Sequence, residues 1–513
     1  MTAITVNVCL QLVLLISMFF NQSFMNRDVL KKIESQLNEL ESKMRAEAEK
    51  RKLLLEKLPA QQYQAAQNLI YYLTLRNEDI RELQDSLHIY GLSSLASSES
   101  HIHRQVQSIL ERLGKEYREE EIDTCTFDFS RSQIEQRSKI LFGEKTDPIA
   151  PYIMVTFDSS FADNYASIKN LLQNGMNVAR INCAHDDEAT WSKMISNLKR
   201  AKRHTGLDCK IYMDIAGPKI RTKLLCKGKK KGKVKVSEGE LIWLAEGAKE
   251  FTSDDIVISP NVPGIIRMLK KGERVFIDDG IIKCVVEEAR KDSVALRIVR
   301  ISSESHQIKT EKGINFPDSE ISISPITEFD KACLPFICGH ADLVGFSFVC
   351  YPSDMGSLQG MLHKLSPKPP YIIIKIETPE AVKNLPGLLI QGMQQAAFGV
   401  MIARGDLAVE IGFERMGEVQ EEILWICEAA HVPVIWATQV LESLNKSGVA
   451  SRSEITDAAH AAMAECVMIN KGDHTIEVIE TLRDILHRIG GHHIKKRFIF
   501  RPLSIAKKFM DEQ

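Results

Sequence analysis

Eleven cysteines are spread over 513 residues, the closest two being Cys333 and Cys338, and no C-x-x-C pair occurs. That spacing excludes a zinc framework and a secreted disulfide scaffold, and it suits a reducing cytosol. No G-x-x-x-x-G-K-[ST] string is present, so a P-loop is excluded as a nucleotide cradle. Charge of one sign is also lacking: 66 Lys and Arg against 68 Asp and Glu leave a formal net charge of −2. No global field draws this chain to nucleic acid or acidic membranes, and any anion site is local. Long apolar runs are confined to the start, where "VNVCLQLVLLISMFF" is broken by Asn7 and Gln11 and has no Lys or Arg before it. A signal peptide calls for a basic n-region, and a spanning helix for about 20 apolar residues. Neither condition is met. Residues 1–24 are therefore read as a mis-called start ahead of Met25, or else as an apolar leader or weak anchor.

What is present begins with enough chain for two to four domains, 44% hydrophobic and 26% charged. Residues 25–148 are expected to form a helical N-terminal domain without chemistry of its own. Leu30, Ile33, Leu37, Leu40 and Met44 recur at helical spacing and mark one apolar stripe. The stripe packs on neighbouring helices or, in the sharper reading, joins two copies as a coiled coil, a homo-oligomer contact through this domain.

From residue 150 the pattern alternates between short β-rich runs and helical stretches. The runs are 152–155, 177–182, 210–215, 341–348, 371–377, 398–403, 433–438 and 466–470. Eight such runs, most followed by a helix, predict an α/β fold with a parallel (β/α)₈ barrel over 149–223 and 311–490. After the third run, "KVKVSEGELIWL", "ERVFIDDGIIKCVVEEA" and "SVALRIVRI" alternate with turn signals, as antiparallel strands do. An all-β lid domain is thus expected at 224–310. Its "KGKKKGKVK" stretch reads as a solvated hairpin, and a basic tail occupies 491–513.

Active sites of such barrels form at the C-terminal strand ends. The polar residues there are Arg180 and Asn182, Asp214, Lys375 and Glu377, "ARGD" at 403–406, Thr438, Gln439 and Glu442, and Asn470 with Lys471. Residues two apart share a strand face, so Arg180 points with Asn182 and Lys375 with Glu377. Glu377 and Asp406 offer hard oxygen ligands that suit Mg²⁺ shared with a substrate anion. Lys375 and Arg180 could neutralise charge on a transferring phosphoryl group. Each residue alone is ordinary; their convergence carries the signal.

These residues lie in strings that resemble the pyruvate kinase family. "MNVARINCAHDD" is similar to its M-x-V-x-R-x-N-x-S-H segment, "MDIAGPKIRT" to D-x-x-G-P-x-I-R-T, and "VFIDDGII" to the D-D-G strand of its inserted domain. "EKGINFPDSEISISPITEFD" resembles the linker back to the barrel, "IIIKIETPEAV" the K-I-E-x-x-E segment, "GVMIARGDLAVEI" the metal-binding stretch, and "PVIWATQVLESL" the A-T-Q-M-L-E-S motif. "SRSEITDAA" resembles T-R-A-E-x-x-D-V. The order matches, and coverage runs from about 150 to 490.

The resemblance implies a cytoplasmic glycolytic phosphotransferase that moves the phosphoryl group of phosphoenolpyruvate to ADP, giving pyruvate and ATP. It implies Glu377 and Asp406 as ligands of Mg²⁺ or Mn²⁺, Lys375 against the phosphoryl group, and Arg180 and Arg221 on phosphates. Asn182, His185 and Thr156 would line the nucleotide side, and Lys312 would reach in from the linker. Backbone amides around Gly405 and Asp406 would take the substrate carboxylate, and Thr438 matches the threonine linked to enolate protonation.

Four departures qualify this. Ala184 replaces a serine that helps hold a monovalent cation, while Lys219 stands where K⁺-independent members carry lysine. A fixed ammonium can replace bound K⁺, so turnover without K⁺ is expected. "TFDSSF" lacks the family's Gly-Pro at the first strand end, and "INKGDHT" replaces L-S-G-E-T at the last. The chain runs about 40 residues past the eighth strand, so the family's C-terminal effector domain is expected to be missing. Two other readings stay open: a Mg-dependent barrel enzyme acting on another phosphate or enolate substrate, and a non-catalytic binding protein related to the family.

Overall fold

The computed structural model describes the backbone of residues 3–490 except 146, 303–305, 320 and 322, with two short strands at His493–Ile494 and Arg497–Phe498. Side chains are described from residue 27 to 490, so the apolar leader and the basic tail fall outside them. No helix among the described residues is long and apolar enough to cross a membrane. The chain divides into two compact units: Met1–Glu135 with Glu428–His431, and Gln136–Cys427 with Val432–Gln513.

The first unit is helical. Its long helix, Ala3–Lys50, packs on Ala60–Arg76 and Ile102–Arg112. Ile33, Leu37, Leu40 and Met44 are buried there, with Leu30 partly covered. The predicted stripe is consumed by packing within the chain, which leaves it no open coiled-coil seam. Beside it lies a buried polar knot. Glu41 accepts from Lys115 at 2.7 Å, Tyr117 at 2.8 Å and Arg45 at 2.9 Å. His103 sits between two carboxylates, with Nδ1 2.7 Å from Asp123 and Nε2 3.4 Å from Glu41. Burial opposes its charge, but the two carboxylates win and raise its pKa.

The second unit holds the barrel. Strands Tyr152–Thr156, Val178–Asn182, Lys210–Asp214, Leu343–Phe346, Tyr371–Ile376, Gly399–Ala403, Val434–Ala437 and Cys466–Ile469 close in sequential order, all parallel. They are hereafter barrel strands one to eight. Alternate residues such as Tyr152, Met154, Tyr212, Ile373, Met401 and Ile435 fill one core cluster with Leu141 and Phe142, as the period of two requires. Those last two end the helix Phe127–Phe142, so its final turns belong with the barrel rather than with the helical unit.

Between strands three and four, seven short strands form a second sheet with its own aliphatic core. The sheet is antiparallel except where Leu241–Ala245 runs parallel to Val257–Pro260, a pairing that turn signals alone did not predict. Thr222–Leu224 and Ile314–Asn315 form its two edges, so the insertion leaves and re-enters the barrel as strand. Of "KGKKKGKVK", read as a hairpin, Lys229–Lys231 form a short helical turn and only Lys233–Lys235 is strand, paired with the distant Gln307–Lys309.

Candidate active site

The C-terminal mouth of the barrel gathers the predicted residues around Asp214, at the end of strand three. Arg180 donates from Nε to Asp214 at 2.7 Å, Tyr212 donates to its other oxygen, and Lys375 Nζ lies 3.9 Å away. Burial alone would raise the Asp214 pKa; Arg180 and Lys375 outweigh it and hold the carboxyl below its ordinary value. A glycine makes room for this cluster. A Cβ on Gly345 would fall 1.9 Å from Asp214 Oδ1 and 2.0 Å from Tyr212 Oη, so strand four must be bare there.

Lys375 donates to Ser347 Oγ at 2.8 Å and pairs with Glu377 Oε1 at 2.9 Å. Burial works against its charge, yet Asp214 and Glu377 raise its pKa, so the ammonium persists. Glu377 also accepts from the Phe348 amide at 2.7 Å. Its pKa is raised, first by burial and then by the nearby Asp406 charge, against the pull of Lys375. Glu377 and Asp406 thus face each other across neighbouring strand ends. Among the described residues no cluster of three or more His, Cys, Asp or Glu is poised for a metal. Two hard carboxylates fit a divalent cation that completes its shell with substrate oxygens and water.

Asp406 opens the helix Arg404–Ile411. Its Oδ1 accepts from Lys219 Nζ at 2.7 Å, and Lys219 also lies 3.9 Å from Asp279. The ammonium expected to replace K⁺ therefore pairs with a candidate metal ligand, and no ion pair ties it to the turn at Ala184. The lid hairpin Asp278–Gly280 rests on this helix: a Cβ at Gly280 would meet Phe413 at 3.8 Å and Val409 at 3.9 Å. Asn315 donates to Glu410 at 2.7 Å, and burial pushes the Glu410 pKa up to about 7.

Thr438 is held in a left-handed backbone conformation, φ +67°, followed by Gln439 at +58°. For a β-branched residue this is an outlier costing about 1–3 kcal/mol. Arg404 holds it in place, donating to Thr438 O at 2.7 Å and Ala437 O at 3.0 Å while clamping Asp457. The result turns Thr438 Oγ1 toward the Gly405 amide, which donates to it at 2.8 Å.

The structure gives several of the predicted residues partners within the chain. The Gly405 amide is engaged by Thr438. Thr156 Oγ1 accepts from Arg180 at 3.0 Å, so it steadies the guanidinium. Asn182 Oδ1 accepts from the Ala184 amide at 3.1 Å and shapes the turn. Lys312 pairs with Asp278 at 2.9 Å, inside the lid. "TFDSSF" forms a short helical turn, Ser159–Ala162, capped by Asp158 and packed by stacked Phe157 and Phe161. His185 and Arg221 remain at the lip, where Arg221 donates to Glu311 O at 3.0 Å. Ser347 and Tyr212 went unassigned in the sequence reading, and Arg404 was noted only within "ARGD" without a role of its own; the serine closing the "GFS" run gave a local signal.

A profile described as pyruvate kinase, barrel domain, matches residues 151–476, more than half of the chain. The chain belongs to the pyruvate kinase family. It is 30% identical to a pyruvate kinase of Bacillus licheniformis over 334 residues, which cover 64% of this chain and 55% of that protein. For the pyruvate kinase of Thermotoga maritima the identity is 30% over 348 residues, 66% of this chain and 70% of the relative. Against that of Thermococcus litoralis it is 31% over 327 residues, 62% and 65%. The chain spans little more than half the length of the first of these relatives. The family match covers the barrel and its inserted sheet, and it includes each strand end described above.

Proposed function

We propose that the chain transfers the phosphoryl group of phosphoenolpyruvate to ADP, giving pyruvate and ATP, the pyruvate kinase step of glycolysis. The observation that carries this reading is the setting of Lys375, a buried ammonium held at 2.8 Å by Ser347 and 2.9 Å by Glu377. Such a fixed cation stabilises charge on a phosphoryl group in transit without reorganising at the moment of transfer.

In this reading the bond from phosphorus to the enol oxygen breaks as a bond to the terminal ADP oxygen forms. The enolate left behind takes a proton at its methylene carbon, beside the Thr438 hydroxyl. Lys375 and Arg180 neutralise the moving phosphoryl oxygens. The positive end of the helix Arg404–Ile411 faces the substrate carboxylate, with the Gly405 amide exchanging Thr438 for it. Mg²⁺ or Mn²⁺ held by Glu377 and Asp406 would add further neutralising charge when bound. His185, Arg221, Asn182 and Lys312 attend the nucleotide, and the lid hairpin excludes water that would hydrolyse the group. Lys219, an ammonium already fixed at Asp406, supports turnover without K⁺. In this reading the chain works in the cytoplasm, a reducing compartment that the scattered cysteines without a C-x-x-C pair suit.

One observation favours a related activity on another phosphorylated enol: Thr156 and Asn182 are both engaged within the chain, so the nucleotide side differs. Pyruvate release from phosphoenolpyruvate with ADP and Mg²⁺ separates the two. Release that depends on Lys375 supports pyruvate kinase activity; no release above Lys375→Met means the substrate is another.

A further inference from the structure

Barrel closure sets the eighth strand beside the first and the first beside the second, with Val155 level with Ile469 and Thr156 with Arg180. The turn after Ile469 and the turn after Asn182 therefore rise from the same lip, separated only by the end of strand one. Lys471 lies on the first of these turns and His185 on the second.

The turn that carries Lys471 is built rigidly. Asn445, buried below it, donates to Asn470 O at 2.7 Å and accepts from Thr475 Oγ1 at 3.1 Å through its side chain, and its carbonyl accepts from the His474 amide at 3.1 Å. Thr475 also donates to Gly472 O at 2.8 Å. A Cβ on Gly472 would stand 2.4 Å from the Asn445 side chain, so this fold of the turn admits only glycine. Lys471 itself is exposed and forms no ion pair among the described residues. Among the described residues the Arg221 side chain likewise meets only a backbone carbonyl, Glu311 O.

The imidazole of His185 registers this field. Its pKa is lowered by burial first, then by Lys471, Arg221 and Arg180, with Asp186 opposing them. The lip between strands two and eight is thus a local excess of cations in a chain of net charge −2. Uncompensated cations on a fixed frame, on the turns after strands two and eight, suit a second multivalent anion.

We propose that Lys471 is a phosphate-binding residue that, with Arg221 and His185, holds the distal phosphate of a nucleoside diphosphate. This rests on the pyruvate kinase reading and adds to it a cation from the eighth strand end.

The test is calorimetric titration of the full chain with ADP, AMP, adenosine and pyrophosphate, in wild type, Lys471→Gln and Lys471→Arg. Lys471→Gln weakens ADP and pyrophosphate about tenfold, the scale of one lost charged hydrogen bond. Lys471→Arg retains their affinity, and adenosine binds all three proteins alike. By NMR, the His185 pKa rises in Lys471→Gln while the amide spectrum stays that of the folded wild type; unfolding would also release the His185 pKa, so the retained spectrum and the unchanged adenosine affinity separate the two. Unchanged ADP and pyrophosphate affinity in Lys471→Gln, or no binding of either by wild type, overturns the proposal. Lys471-dependent ADP binding without phosphoryl transfer by wild type would sink the pyruvate kinase reading and leave this site standing. Transfer with an unchanged KM for ADP in Lys471→Gln would do the reverse.

Discussion

Replacing Lys375 by Met keeps an unbranched side chain one atom shorter and removes its charge. Asp214 would still be held by Arg180 and Tyr212, but Glu377 would keep only the Phe348 amide. The cost falls on Glu377, a carboxylate 1% exposed that loses a partner at 2.9 Å. Leaving one member of a buried ion pair uncompensated costs about 3–5 kcal/mol. The penalty carries a pH signature. The Glu377 pKa is already raised by burial, and without Lys375 it rises further. The folded state then holds a proton that the unfolded state has released, so stability falls as pH rises through that window. Urea unfolding followed by tryptophan fluorescence isolates this effect, because Trp191, Trp243, Trp425 and Trp436 all lie in the unit that contains the barrel. The expected loss is about 3–5 kcal/mol at pH 8, shrinking toward pH 5. A loss below about 1 kcal/mol at pH 8, or one that grows with acid, would refute the reasoning.

Thr438→Val preserves the β-branched shape and deletes the hydroxyl that accepts from Gly405. Steady-state assays are expected to show kcat lowered about 10²–10⁴-fold, and a change under threefold would contradict the assignment. Turnover is expected without added K⁺, measured in tetramethylammonium buffer; tenfold or greater activation by K⁺ would remove Lys219 from its role. The raised pKa of His103 gives a stability contribution fully present below about pH 6.5 and lost as pH rises through the folded value. Hydrogen exchange in the helices Ala60–Arg76 and Ile102–Arg112 should therefore quicken with falling stability above that point, and His103→Gln should remove the dependence.

Barrel strands were legible because each is a short apolar run ending in polar residues, and their order alone predicted closure. The gathering of Glu377, Asp406, Lys375 and Arg180 at one barrel mouth was legible from their places at strand ends, where each alone is ordinary and only the convergence marks a candidate site. Ser347 and Tyr212 were not, since their meaning depends on which strand lies alongside once the barrel closes. Gly345 and the strained Thr438 were hidden too, because a close approach or a positive φ leaves no mark in periodicity. Lys219 was read as a cation in the right region, yet its pairing with Asp406 came only from the path of the lid edge. The stripe of the long helix fitted two destinations, and only packing within the helical unit decided between them.

The central claim is phosphoryl transfer centred on Lys375. It is tested most directly by ³¹P NMR of phosphoenolpyruvate, ADP and Mg²⁺ with wild type and Lys375→Met. The account predicts that wild type converts the phosphoenolpyruvate resonance into that of the ATP γ-phosphate while the variant leaves it unchanged. Equal conversion by both proteins, or conversion by neither, would contradict it.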